Sequence, residues 1–245
     1  MNYPQILINL ALEVIFPIKC LGCGNFSSPK HPDYICEKCL KIIPIKKRFE
    51  CIGCKSNSRL GQTCFNCKRV NHLDQLLIAT DYNHPLVVKI IKTFKYRFVL
   101  NMIGPISLLL KKYVIWLSTN KKHNLNSDNP LIISVPLFYR RLNWRGFNQA
   151  ELIAKSLADM LQAHCQPNIL LRTKESKPQA DISEKSERLK NPANIFKLTE
   201  NEFVKDKTII LIDDICTTGA TLNECARILK EAGAKKVIGF VIARG

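Results

Sequence analysis

The chain has 245 residues, 46 % hydrophobic content and a formal net charge of +17. That length accommodates one α/β domain of about 150–170 residues plus a smaller module, and the apolar share is enough for a real core. No run reaches the roughly 18 consecutive apolar residues of a membrane span, while so large a cationic surplus points to polyanionic or phosphorylated partners.

In chain order, MNYPQILINLALEVIFP comes first. It has no basic n-region and no small-residue cleavage site, and it carries Asn9 and Glu13, which argues against a signal peptide. Apolar residues at 7, 10, 11, 14 and 15 instead fit a short amphipathic lead helix over 1–16 that docks on the protein.

Eight of the eleven cysteines then fall within 20–67 as four CxxC pairs: Cys20/Cys23, Cys36/Cys39, Cys51/Cys54 and Cys64/Cys67. A CxxC turn puts two sulfurs on one side of a tight loop, and two such knuckles supply the S₄ set that selects Zn²⁺ or an iron–sulfur centre. Four of them without a thioredoxin-like pattern read as two structural Zn²⁺ sites rather than as redox pairs. A disulfide framework conflicts with the missing signal peptide. Sequential pairing is the simplest arrangement, and spacing alone leaves an interleaved cross-brace open. A segment this short has little core of its own, so metal is expected to supply its folding energy.

Residues 73–80 read as a strand, 84–99 as a basic amphipathic helix ending near Tyr96, 102–117 as a further helix and 119–129 as a polar loop. A strand over Leu131–Val135 stops at Pro136, and Phe147–Gln162 form a helix. Residues 172–194 are polar and charged and carry two prolines, a loop too long for an ordinary connector and therefore expected to be functional. Strand 208–212, helix 221–232 and strand Lys236–Ile242 complete an α/β pattern, a parallel sheet flanked by helices. The basic surplus is concentrated in the middle: residues 84–190 hold 18 Lys+Arg against 7 Asp+Glu. Two Zn(Cys)₄ sites would remove about four positive charges and leave the chain basic.

Thr208–Thr221, TIILIDDICTTGAT, carries the most chemistry. A buried strand ends in Asp213 and Asp214, and a small-residue turn opens a helix. In open α/β sheets ligands bind beyond the carboxyl ends of strands, and such a turn aims backbone N–H groups and a helix dipole at an anion. Asp213 and Asp214 repel phosphate but suit sugar hydroxyls, or a Mg²⁺ that a sugar phosphate also contacts. The combination describes a site for a phosphorylated ribose, against the plainer reading of an acidic strand end that binds Mg²⁺ or faces water. Cys216, inside this turn and near a helix N-terminus, is placed where a thiolate is favoured.

LIDDICTTGAT resembles the phosphoribosyl-pyrophosphate (PRPP) motif of type I phosphoribosyltransferases. Together with FPIKCLGCG (Phe16–Gly24), SVPLFYRRLNWRGFNQAE (Ser134–Glu151) and LRTKESKPQADISEKSERLKNPANIF (Leu171–Phe196), it makes the whole chain similar to the ComF/GntX family. The resemblance implies a lead helix and double zinc-ribbon-like module over 1–72 and a phosphoribosyltransferase-like domain over 73–245, with a hood or lead-in at 73–130 and a core at 131–245. One departure is Arg97-Phe98, where relatives often have a glycine after the Lys-Tyr matched by Lys95-Tyr96.

On this reading Asp213 and Asp214 accept from the ribose 2′- and 3′-hydroxyls and steady an oxocarbenium-like centre. Ile215, Cys216, Thr217, Thr218, Gly219, Ala220 and Thr221 form the loop that holds the 5′-phosphate, and transfer needs no covalent enzyme intermediate. Val135, Pro136 and Leu137 match the pyrophosphate loop, with Arg140, Arg141 and Arg145 and a Mg²⁺ compensating the leaving pyrophosphate. Arg172, Lys174, Gln179, Arg188 and Asn191 belong to the loop that covers the site. The resemblance implies a cytoplasmic protein associated with DNA uptake, transferring phosphoribosyl to an unknown acceptor. Two alternatives stand beside it: a non-catalytic binder of single-stranded DNA, with aromatics such as Phe94, Tyr96, Phe138, Tyr139 and Trp144 interleaved among cations, and a PRPP sensor that signals to a competence-machinery protein through the zinc module.

Overall fold

The computed structural model describes residues 18–26, 34–96, 99–121, 123–126, 128–174, 195–200 and 202–245. The expected lead helix over 1–16 lies outside the described residues, as do Arg97, Phe98, Gln179, Arg188 and Asn191.

Among the described residues, five strands make one parallel sheet: β1 (Gln75–Asp81), β2 (Leu131–Ser134), β3 (His164–Cys165), β6 (Thr208–Cys216) and β7 (Lys236–Arg244), in the order β1-β7-β6-β2-β3. The central strands TIILIDDIC and KVIGFVIAR are apolar on both faces because both faces are covered. The helices α2 (Pro85–Tyr96), α3 (Ile103–Lys121) and α5 (Gln149–Leu161) cover one face through Ile90, Ile106, Leu110 and Ile153. Helix α6 (Ala220–Glu231) covers the other through Leu222, Cys225 and Leu229. The span Leu100–Lys121 is long and apolar enough to cross a membrane by length and composition, but it builds Ile106, Leu109, Leu110, Tyr113 and Leu117 into this core.

Several elements are shorter or longer than the sequence suggests. Helix α5 starts at Gln149 because Asn148 caps it, its side chain accepting from the Ala150 N–H at 3.1 Å. Strand β6 runs through both aspartates to Cys216, since β7 pairs with it as far as Cys216↔Arg244. Five of these elements are not visible as patterns: the five-residue helix α1 (Glu37–Lys41), the seven-residue helix α4 (Tyr139–Arg145), the two-residue edge strand β3, and a small antiparallel pair, β4 (Leu170–Arg172) with β5 (Phe196–Leu198). That pair clamps the stems of the 172–194 segment, closed by Thr173 N–H donating to Ile195 O at 2.8 Å.

The cysteine-rich segment wraps the β1 edge of the sheet. Ile45 bridges Thr80, Gln62 bridges Gln75, and the N–H groups of Lys46 and Thr63 donate to Ala79 O and Asp74 O, both at 2.9 Å. An open strand edge is thereby capped. Its apolar residues divide between the two cores, Cys20, Ile35, Cys39 and Ile43 joining the α2/α3 side and Ile52 the α6 side.

Candidate active site and cysteine clusters

The chain reverses its direction of winding between β2 and β6. From β2 it proceeds outward to β3, and from β6 it proceeds the other way to β7. This is the switch point where open α/β sheets form a crevice. Pairing of β2 with β6 ends at Ser134↔Ile212, and Pro136 then carries the chain away. The last residues of β6 therefore face a cleft of about 390 Å³.

One wall is the acidic pair. Asp214 is 6 % exposed and forms an ion pair with Lys95 at 2.8 Å, joining helix α2 to the sheet. Burial disfavours the Lys95 ammonium, but the Asp214 carboxylate outweighs it and holds Lys95 above the ordinary lysine range. Asp213 Oδ1 accepts the Asp214 N–H at 2.8 Å. Burial, reinforced by the charge of Asp214 and opposed by Lys95, lifts the Asp213 carboxyl to about 7.

The second wall is the turn into α6. Gly219 has φ +85° and ψ 0°, left-handed geometry that glycine adopts without strain, and its carbonyl accepts from Asn223 N–H at 2.8 Å. Thr218 Oγ1 accepts from Ala220 N–H at 3.3 Å. Thr217 and Thr218 are exposed at the mouth.

The third wall comes from the segment after β2. Val135, Pro136, Leu137, Arg141, Arg145, Asn148 and Gln149 line the cleft. Asn148 Nδ2 donates to Val135 O at 3.0 Å, fixing the loop against α5. Arg145 Nη1 donates to Gln149 Oε1 at 2.6 Å and its guanidinium lies 5.8 Å from the Tyr96 ring centre. Burial pushes Arg145 below its ordinary value, against the pull of Asp214. Among the described residues, Arg145 Nε and Gln149 Nε2 are buried donors without a hydrogen-bond partner. Buried donors are seldom left so unless something binds them.

The structure thus brings Asp213 through Thr221, Val135, Pro136, Leu137, Arg141, Arg145 and Arg172 to one cleft. Arg140 is not among the lining residues. Successive helical residues point about 100° apart, so Arg141 and Arg145, four apart on α4, share a face that Arg140 does not. The sulfur of Cys216 does not sit in a thiolate-favouring position: it is 2 % exposed, packs into the α6-side core, and burial pushes its thiol up to about 11. Lys95, Tyr96, Asn148 and Gln149 line the cleft without having been singled out as ligands. The sequence signal for Lys95 was its place at the end of an amphipathic helix, and for Asn148 and Gln149 a helix-capping pattern.

Behind this site lie two groups of thiols, Cys20/Cys23/Cys36/Cys39 and Cys51/Cys54/Cys64/Cys67. Within each, the four sulfurs lie within 4.8 Å of one another. The grouping is sequential, so the interleaved arrangement is not formed. Zn–S bonds of about 2.3 Å at tetrahedral angles separate the sulfurs by about 3.8 Å; Cys23–Cys36 are 3.9 Å apart and Cys54–Cys64 3.8 Å. Burial works against ionising Cys20, but N–H groups of Cys36, Cys23 and Gly22 outweigh it and bring the thiol down to about 6. Hydrogen bonds from Ser56 bring Cys54 down to about 6 as well. Cys39 is pushed up to about 12, by burial first and then by its sulfur neighbours. Partial ionisation of crowded thiols is the state that a divalent cation completes, so both groups could hold zinc.

A parallel sheet with this cleft at its switch point is the frame of a type I phosphoribosyltransferase, and a model of the phosphoribosyl transferase domain matches residues 148–245. Competence protein F of Haemophilus influenzae is 32 % identical over 235 residues, covering 94 % of this chain and 98 % of that protein. Competence protein ComFC of Bacillus subtilis is 42 % identical over 116 residues, 46 % of this chain and 44 % of that one. DNA utilization protein YhgH of Escherichia coli is 34 % identical over 113 residues, 46 % of this chain and 48 % of that one. The chain belongs to the ComF family.

Proposed function

We propose that the cleft binds PRPP and transfers its phosphoribosyl group to an acceptor with release of pyrophosphate. The observation that carries this reading is the convergence, on one cleft, of an acidic strand end, a left-handed glycine turn at a helix N-terminus and a half-buried arginine whose buried Nε has no partner. The turn Thr217–Thr221 holds the 5′-phosphate. Asp213, part-exposed on the cleft floor, accepts from a ribose hydroxyl; Asp214 is engaged by Lys95 and contributes fixed negative charge beneath the ring. The acceptor's lone pair forms the new bond to C1 as the C1–O bond breaks. Pyrophosphate leaves with the bonding pair, and the acceptor gives up its proton to solvent. Arg141 and Arg145 receive the leaving group's charge, and a Mg²⁺ carried in on the pyrophosphate would share it. The covering roles of Gln179 and Arg188 are part of the same proposal. Each cysteine group holds one structural Zn²⁺, as the sulfur spacing supports.

The names of the competence relatives support a role in DNA uptake. A second reading, binding of single-stranded DNA at the rim, is favoured by α4, which buries none of its residues and exposes Tyr139 (55 %) and Trp144 (62 %) among arginines. Calorimetry with PRPP and Mg²⁺ tests the first reading: saturable heat is expected from the native chain and none from Asp213→Ala plus Asp214→Ala. Equal heats from both proteins would remove the assignment. Pyrophosphate release on adding acceptor candidates then separates transfer from sensing.

A further inference from the structure

We infer that the second cysteine cluster is the back wall of the phosphate cradle, so that a metal held by Cys51, Cys54, Cys64 and Cys67 and a phosphorylated ligand in the cleft strengthen each other's binding. The inference rests on the reading of Thr217–Thr221 as a phosphate cradle and adds a role for the metal.

Three links carry it. Ile52 stands between Cys51 and Cys54 and is 0 % exposed. A Cβ built on Gly219 would lie 2.8 Å from its Cγ1 and 2.9 Å from its Cδ1. The side chain of a metal-loop residue therefore presses on the glycine whose φ of +85° sets the cradle. The second link is Arg244, 4 % exposed at the end of β7. Its Nη2 donates to Ile52 O at 2.6 Å, and its Nη1 donates to Cys51 O at 3.2 Å and to Glu50 at 3.0 Å. Arg244 lies opposite Cys216 in the ladder, and the next N–H, of Gly245, donates to Cys216 O at 3.1 Å. The third link is Asn223 in the first turn of α6. Its side chain accepts from His72 N–H at 2.6 Å and donates to Val70 O at 3.1 Å, just beyond Cys67. The cluster thus grips both arms of the cradle, Cys216 before the glycine and Asn223 after it.

The first cluster provides an internal control. Its equivalent residue, Leu21 between Cys20 and Cys23, has its carbonyl bonded by Lys89 of α2 at 3.2 Å, and Gly22 is crowded by Cys39 and Leu86. Those links lead to the helix over the opposite face of the sheet. Without a metal, the CxxC loops lose the bonds that fix their shape. Ile52 then ceases to brace Gly219, and the cradle N–H groups lose their preorganisation. Coupling between two binding sites is reciprocal, so a ligand in the cradle must equally retain the metal behind it.

The experiment follows zinc release from the full, zinc-loaded chain into excess chromogenic chelator, with and without saturating ribose 5-phosphate. Two equivalents are expected, with the ligand slowing release of one by at least about fivefold and leaving the other unchanged. Ile52→Ala should abolish the slowing and weaken ribose 5-phosphate several-fold in calorimetry while retaining two zinc equivalents. Leu21→Ala should leave the slowing intact, and Ile52→Val, a smaller deletion, should show the same loss in part. If ribose 5-phosphate binds but both equivalents leave at unaltered rates, the coupling is refuted and the cleft assignment stands. If it does not bind the native chain at all, the cradle assignment fails and takes the coupling with it. Equal slowing of both equivalents points to global stabilisation and also overturns the inference.

Discussion

Replacing Lys95 by Met removes the cation that joins helix α2 to the acidic wall. At 2.8 Å the pair has a gross attraction of about 6 kcal/mol if the effective dielectric is about 20. Most of that is offset by desolvation, and stripping one partner from a fully buried pair costs about 3–5 kcal/mol because the other charge is left alone. Side-chain exposures of 21 % for Lys95 and 9 % for Asp214 discount this to about 2–4 kcal/mol. For a chain of this size that lowers the melting temperature by about 6–12 °C at the middle of the range. The sign with pH follows from Lys95, whose protonation is favoured in the folded state. Its contribution is fully present below the ordinary lysine pKa and is lost only as pH rises through the higher folded value. Lys95 also favours the ionised Asp213 carboxylate, so the loss on substitution should grow as Asp213 ionises near pH 7 and be level from about pH 8 to pH 9. The assay is urea and thermal unfolding of the zinc-loaded native chain, Lys95→Met, Asp214→Asn and the double variant. The double variant should be less destabilised than the sum of the singles by about 2 kcal/mol or more. Additivity within about 0.5 kcal/mol would refute the pair as a structural clasp.

Asp213→Asn should stabilise the chain increasingly as pH rises. The carboxyl is lifted to about 7 by burial and Asp214, so its favourable contribution is present below the unfolded value of about 3.9 and is lost as pH rises through about 7. Urea unfolding at pH 5 and pH 8 should show the larger gain at pH 8, and a gain confined to pH 5 would contradict the burial argument. Arg244→Met should cost about 3–5 kcal/mol, because it orphans the carbonyl of Ile52, leaves the Cys51 carbonyl with only the Lys55 N–H at 3.1 Å, and takes one of two cations from Glu50, the other being Lys46 at 2.9 Å. Stripping metal with a strong chelator should abolish the cooperative melt of the cysteine-rich segment, and re-addition of Zn²⁺ should restore it; an unaltered melt would separate the cysteines from stability. A salt-sensitive loss of single-stranded DNA binding on Trp144→Ala, in a variant whose melt shows it folded, would favour the second reading, and unaltered binding would count against it.

Elements with a strong local signature were legible in the sequence. The apolar run Thr208–Ile212, the turn Thr217–Thr221 and the CxxC spacing each report a local requirement: burial on two faces, an anion-ready helix entry and a metal bite. The missing pieces depend on packing between distant segments. Lys95 reaches Asp214 across 119 positions of sequence, and although Lys95-Tyr96 matches the relatives' Lys-Tyr, nothing in KTFKY names the carboxylate it pairs with. The same limit explains Cys216. A helix N-terminus nearby suggests a thiolate, but the sulfur of Cys216 packs into the α6-side core, where burial prevails. Helix α4 has no signature in the sequence because YRRLNWR has no buried face to impose a period. The cysteine-rich segment was expected to have little core of its own. Its apolar residues are in fact divided between the two sides of the sheet, so its folding is tied to strands that come later in the chain.

The central claim is that Asp213 and the Thr217–Thr221 turn hold opposite ends of one phosphorylated ribose. A crystal of the native chain soaked with PRPP and Mg²⁺ tests it most directly. The account predicts difference density with a phosphate against the N–H groups at Gly219 and Ala220, a ribose hydroxyl on Asp213, and pyrophosphate toward Arg145. Density that leaves this cleft vacant and appears elsewhere on the molecule would contradict it.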